Sequence, residues 1–244
     1  ATMYLDSAGE VIPQASTRGA RAVGVPGTVA GLHEIWKKYG SLPWRDLIGP
    51  ALFLADSGFV VDSALADEFA ENADGLLQFS RTAEIFARDG QPLRRGDTLV
   101  QRNLARTLRL IADSGATAFY SGEIAAKIVE CMQESGGLIS AEDLASYSPV
   151  WRAPLRFTFD SLEIFSMAPP SSGGLVMGKI LKLLEPYDFS GWSPHTPEYI
   201  HLFCEASRLA YADRATHLGD PDFYQIPGGL LDSAYLASRR LLIK

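Results

Sequence analysis

Ser171, Ser172, Gly173 and Gly174 are the residues whose types and spacing most invite chemistry. They follow Ala168-Pro169-Pro170 and precede Leu175, so two hydroxyls and two bare backbone positions join an apolar run, Leu162 to Met167, to a helical pattern. Proline fixes φ, serine caps helices, and glycine lets another backbone or a ligand come close. Two readings follow. In one, backbone N–H groups at Ser172 to Gly174 face an anionic ligand group such as a carboxylate, as helix N-termini do. In the other, the prolines stop the strand, Ser171 or Ser172 caps the helix, and the glycines permit close packing. The second carries more weight, because a cap alone is worth about 1 kcal/mol and accounts for the hydroxyls. A second cluster, Tyr211, Asp213 and Arg214, lies at helical spacing and reads as a buried Asp213–Arg214 network fixing a long helix. His217, four residues beyond Asp213, is placed to be oriented by it, but no nucleophile accompanies the pair.

Other chemistries fail on their spacing. The elbow of a Ser-His-Asp hydrolase reads GxSxG, whereas Pro170 and Gly173 flank the serines here. No GxxxxGK[ST] phosphate loop occurs, and His33, His195, His201 and His217 form no HExxH or CxxC arrangement that would hold zinc. Cys131 and Cys204 each sit in a helical pattern with apolar neighbours and read as small buried hydrophobes rather than a disulfide or a metal site.

The elements that must position these groups are mostly helices. Val29, Leu32, Ile35 and Trp36 recur at helical spacing from Thr28 to Tyr39, and the run from Pro43 to Asp56 repeats the pattern, with Pro50 expected to split it into two short helices. Asp62 caps a helix to Asn72. Residues 74 to 96 read mostly as loop around an Asp89-Gly90 turn, after which Asp97 is expected to cap a long helix to Gly115. Another helix spans Gly122 to Ser135, and Ser140-Ala141-Glu142-Asp143 resembles an acidic capping box. Leu155 to Phe159 and Leu162 to Met167 form a hairpin around Asp160-Ser161. Leu175 to Leu184 is helical, and Thr196-Pro197 opens the longest helix, running toward His217. One hairpin among so many helices is too little sheet to stand alone, so the chain reads as part of a larger α+β fold.

Composition narrows the classes. Of 244 residues 47% are hydrophobic, which suits a globular chain with a real core, and 29 acidic against 22 basic residues give a net charge of −7 that repels nucleic acid. No apolar run is long enough to span a membrane, and Ala1 to Asp6 lacks the features of a signal peptide.

Taken in order, Val25-Pro26-Gly27-Thr28-Val29-Ala30-Gly31, Gly136-Gly137-Leu138-Ile139, the Pro169 to Gly174 elbow, Tyr211-Ala212-Asp213-Arg214 and Leu218-Gly219-Asp220-Pro221-Asp222-Phe223 resemble the gamma-glutamyltransferases. The resemblance runs from about Met3 to about Tyr235. It implies the helix-rich part of an N-terminal-nucleophile hydrolase αββα sandwich, with the sheet incomplete in this chain and residues 1–244 forming one domain fragment of the large subunit. Such enzymes are made as a precursor that cuts itself in two, and the new N-terminal threonine of the small subunit attacks a γ-glutamyl amide, its own α-amine serving as base.

On this resemblance the catalytic threonine, the oxyanion hole and the arginine that holds the substrate α-carboxylate all lie outside the segment. The catalytic set within the chain is therefore empty. Ser171, Ser172, Gly173 and Gly174 become a candidate substrate-side or subunit-interface loop, and Tyr211, Asp213 and Arg214 a structural network. Thr2 is set aside as a nucleophile, since its use would require loss of Ala1. The resemblance further implies a partner small subunit, glutathione or related γ-glutamyl compounds as substrates, no metal or organic cofactor, and a periplasmic or secreted location. A cephalosporin-acylase-like amidase of the same superfamily shares these motifs, and a freestanding helical binding domain is the alternative from another class.

Overall fold

The computed structural model describes residues 2–244, which gather in two compact units, one ending at Pro149 and the other running Val150–Lys244. Among the described residues, the first unit holds two apolar clusters and the second holds one.

After a 3-10 turn at Ala20–Ala22, the first unit opens with α1 (Thr28–Tyr39) and α2 (Trp44–Ser57). There follow β1 (Phe59–Val60), α3 (Ser63–Glu71), α4 (Ala73–Leu77), α5 (Ser80–Phe86), β2 (Ala87–Arg88), β3 (Gln91–Pro92) and β4 (Thr98–Leu99). Then come α6 (Arg102–Ser114), α7 (Thr117–Tyr120), α8 (Glu123–Ser135) and α9 (Ala141–Ser146). Local capping sets several of these bounds. Asp62 accepts from the Leu65 N–H at 2.8 Å, and the Ser140–Asp143 box closes in both directions, at 3.1 Å and 2.8 Å. Gly136 ends α8 with φ 70°, a left-handed stop that a side chain would resist.

Three expectations are corrected here. α2 runs through Pro50 unbroken. Pro50 and Asp46, whose carbonyl loses its N–H partner, are both exposed, so water can serve that carbonyl. The helix is also held from outside, with Trp44 Nε1 donating to the Ile111 carbonyl of α6 at 2.9 Å. Residues 74 to 96 are not mostly loop but two short helices and the β2–β3 hairpin. Val61, Phe69, Leu93 and Leu99 form the cluster they enclose. Asp97 caps no helix: its carboxylate accepts from the Arg94 N–H at 2.7 Å and its carbonyl from Val61 N–H at 2.8 Å. That turn feeds β4, which pairs with β1, and the helix starts only at Arg102.

The glycine-rich entry to α1 has a definite reason. Tyr120 is buried, donates its hydroxyl proton to the Pro26 carbonyl at 2.5 Å and accepts from the Ala30 N–H at 3.2 Å. Tyr147 stacks on Tyr120 with ring centroids 5.5 Å apart, and a Cβ on Gly27 would overlap the Tyr147 hydroxyl. The segment Val25 to Gly31 is thus shaped by two tyrosines that arrive from about a hundred residues away.

The second unit comprises β5 (Leu155–Phe159), β6 (Leu162–Ser166), α10 (Gly173–Leu184), α11 (Pro197–His217) and α12 (Ser233–Arg240). β5 and β6 pair antiparallel with Phe157 opposite Ile164, as the hairpin reading expects. Thr196 caps α11 by accepting from the Tyr199 N–H at 3.4 Å, with Pro197 in the first turn. Leu183, Ala206, Leu209 and Leu236 make the core between α10, α11 and α12. Gly178 lets α10 settle on Phe157, whose ring atoms would stand 2.9 to 3.2 Å from any Cβ there. Among the described residues every sheet has two strands, in line with the expected incomplete sheet. The hairpin leaves Leu162 and Phe165 exposed. Cys204 is exposed and Cys131 only half-buried, both as free thiols, which corrects the reading of both as buried. Apolar neighbours in sequence face other sides of the same helix.

Candidate functional site

The elbow is built from the end of β6 and the start of α10. Ser171 N–H donates to the Ala168 carbonyl at 3.2 Å, closing a turn over Pro169 and Pro170, and α10 begins at Gly173. Ser172 occupies the cap position, yet neither it nor Ser171 caps the helix through its side chain. The Ser172 hydroxyl instead accepts from Arg214 Nε at 2.8 Å, a link between α10 and α11 across 42 positions of sequence. The capping account of the hydroxyls is thereby corrected.

The two glycines differ. A Cβ on Gly174 would lie 2.5 Å from Ser166 Oγ and 2.9 Å from the Met167 carbonyl, so Gly174 is buried and its side-chain-free state is a packing requirement. Gly173 is exposed, and the nearest atom to its Cβ position is Ser171 Oγ at 3.9 Å. Close packing explains Gly174 alone.

Asp213 and Arg214 do not pair. Neighbours on a helix point about 100° apart. Asp213 turns into the core, while Arg214 stays exposed at the rim of a groove of about 520 Å³, with its guanidinium 6.0 Å from the Tyr211 ring. Val176, Met177, Ile180 and Phe203 form the apolar walls of that groove, and Ser172 and Gly173 its polar end. Ser171 lines a separate groove of about 480 Å³ with Arg152, Pro154 and Met167. The sequence-predicted residues therefore divide three ways: Ser172, Gly173, Tyr211 and Arg214 share one groove, Ser171 another, and Gly174 and Asp213 are buried.

Asp213 meets residues that sequence reasoning did not single out. Its carboxylate forms an ion pair with Lys179 of α10, accepts from the Tyr235 hydroxyl at 2.9 Å and meets Arg239 of α12 at 2.8 Å. Lys179 is 1% exposed, and its ammonium lies 4.3 Å from the Tyr235 ring centroid. A signal existed: Lys179 stands in register with Val176 and Leu183 on the buried stripe of an otherwise apolar helix, and a lysine there needs a carboxylate partner.

The groove has apolar walls and one polar, cationic end. The Ser172 hydroxyl faces a guanidinium, which has no acceptor and cannot take its proton. Among the described residues no group of three or more His, Cys, Asp or Glu is placed to hold a metal ion, and no helix is long and apolar enough to cross a membrane.

Comparison with known proteins gives the following likenesses. The gamma-glutamyltranspeptidase family model matches residues 1–244. The glutathione hydrolase proenzyme of Escherichia coli is 41% identical over 238 residues, covering 97% of this chain and 41% of that protein. The crystal structure of Helicobacter pylori gamma-glutamyltranspeptidase superposes on the entire chain with a TM-score of 0.96 at 39% identity, and the match takes in 70% of that chain. A cephalosporin acylase from Bacillus halodurans is similar over 93% of this chain, with a TM-score of 0.83, 28% identity and 42% of its own length covered. The chain thus spans about two fifths of the length of the curated relatives it matches.

Proposed function

The chain belongs to the gamma-glutamyltranspeptidase family, and from that premise we propose that it is the large-subunit segment of an enzyme that transfers or hydrolyses γ-glutamyl groups. The observation that carries the reading is the end-to-end match to helix-rich parts of the N-terminal-nucleophile hydrolase fold, at a TM-score of 0.96, without a nucleophile–base pair at the elbow. The printed name of the E. coli relative, a glutathione hydrolase proenzyme, supports glutathione as a substrate and maturation by cleavage.

The chemistry then divides between segments. A threonine outside these residues attacks the γ-amide carbonyl, its α-amine taking the hydroxyl proton. The amine leaves with a proton, and water or an acceptor amine releases the γ-glutamyl ester from the threonine. Residues 1–244 contribute scaffold and the surface against which the small subunit sits. The exposed hairpin residues Leu162 and Phe165 and the walls of the Ser172–Arg214 groove are the apolar parts of that surface.

The test is to express residues 1–244 alone and the complete gene product, and to assay both with a chromogenic γ-glutamyl anilide. Turnover by the complete protein, and none by the segment, is the expected result. Activity of the segment alone would place the nucleophile within it and overturn the reading. The likeness to the B. halodurans acylase favours one alternative, an amidase acting on cephalosporin side chains. Turnover of a glutaryl-type amide in preference to the γ-glutamyl anilide by the complete protein would select it.

A further inference from the structure

The cluster around Asp213 is electrically unbalanced. One carboxylate, 5% exposed, is shared by two cations, the buried Lys179 from α10 and the partly exposed Arg239 from α12, so the cluster carries one excess positive charge. Charges held out of water are costly unless matched, and here the match is incomplete. Among the described residues, the charged and polar groups paired with or placed over Lys179 are those of this cluster. α11 contributes Asp213, α12 contributes Tyr235 and Arg239, and β5 meets α10 through uncharged Phe157.

α12 depends on this arrangement. It is eight residues long, too short to persist as a helix by itself, and it buries one side chain deeply, Leu236. Its polar anchors, the Tyr235 hydroxyl and the Arg239 guanidinium, both end on Asp213. Lys179 is enclosed and cannot leave without unpacking α10, whereas Arg239 keeps a fifth of its side chain in solvent and can swing outward. In the contest for one carboxylate, α12 is the member free to let go.

We infer that α12 is a pH-graded latch on α10 and α11, with Lys179 as the sensing group and the Arg239–Asp213 contact as the catch. When Lys179 loses its proton, its repulsion of Arg239 ends and Asp213 is left to Arg239 and Tyr235. Burial, and after it the charge of Arg239, pushes the Lys179 ammonium from its ordinary 10.5 down to about 8. Undocking of α12 removes both causes, because the Tyr235 ring and Arg239 leave with it. The docked state therefore binds fewer protons than the undocked one between these two values. Docking strengthens as pH rises through about 8 and levels off near 10.5. Between pH 7 and pH 9 the gain is roughly tenfold.

Hydrogen–deuterium exchange of the α12 amides tests this in the complete protein, each pH being corrected with an unstructured peptide of the same sequence. Protection of 233–240 is expected to rise about tenfold from pH 7 to pH 9, while α10 amides stay constant. Lys179→Met should show high protection at both pH values and no step. Arg239→Met removes only the smaller of the two causes and leaves Lys179 buried, so its step should be shallower than that of the unmodified protein. A flat profile in the unmodified protein, a step that survives in Lys179→Met, or a step undiminished in Arg239→Met overturns the latch.

Discussion

Tyr120 and the paired glycines show how single residues divide between scaffold and surface. Burial holds the Tyr120 phenol above its ordinary pKa, so at neutral pH it remains a donor to Pro26 and an acceptor from Ala30. Tyr120→Phe strands both partners and should cost about 1–3 kcal/mol in denaturant unfolding of the complete protein. Loss of under 0.3 kcal/mol, well below that estimate, would mean that water replaces the hydroxyl. Gly174 and Gly173 should separate cleanly. Gly174→Val meets Ser166 and the Met167 carbonyl, and should lower stability by about 1–3 kcal/mol and impair maturation. Gly173→Val points into open space and should leave melting temperature, precursor cleavage and kcat/KM near those of the parent. A large fall in kcat/KM for that variant, with normal melting and cleavage, would instead assign the elbow to the substrate.

Secondary elements are where the sequence was most and least legible. Helix boundaries that depend on near neighbours, the starts at Asp62, Ser140 and Thr196 and the stop at Gly136, are readable because a cap and its N–H or carbonyl partner lie within four residues. Residues 74 to 96 hide their structure, since α4, α5 and the β2–β3 hairpin are too short to show a period and are held by Val61 and Leu99 from elsewhere. The Asp213–Arg214 pairing failed for a reason that helical geometry already supplies: adjacent residues face different ways. The partners of Asp213 were only half legible: Lys179 on its apolar stripe asks for a carboxylate, but nothing local ties it to Asp213 or to Arg239. Pro50 is a test of the forces at this scale. Packing on α6 overrides the local preference, so Pro50→Ala should restore one donor to α2 and raise stability by about 1–3 kcal/mol, less the entropy returned to the unfolded chain. A fall in melting temperature would show that α2 is shaped around the proline.

At the scale of the whole segment, the proposed subunit surface rests on the hairpin. A two-stranded ribbon with Leu162 and Phe165 in solvent offers unpaired edges and apolar faces, which in isolation invite association. Sedimentation of residues 1–244 alone should show concentration-dependent self-association that is suppressed when the remaining part of the family protein is supplied in trans. A monodisperse monomer indifferent to that part would count against the proposed subunit surface. The shared carboxylate at Asp213 also constrains how such proteins can diverge. A lineage that replaces Lys179 by an uncharged residue loses a surplus charge and can keep everything else. One that replaces Asp213 first leaves the enclosed Lys179 ammonium without its carboxylate, a step costing about 3–5 kcal/mol. Substitutions in this trio should therefore arrive in a fixed order, with the lysine changing freely and the aspartate changing only after the lysine has gone.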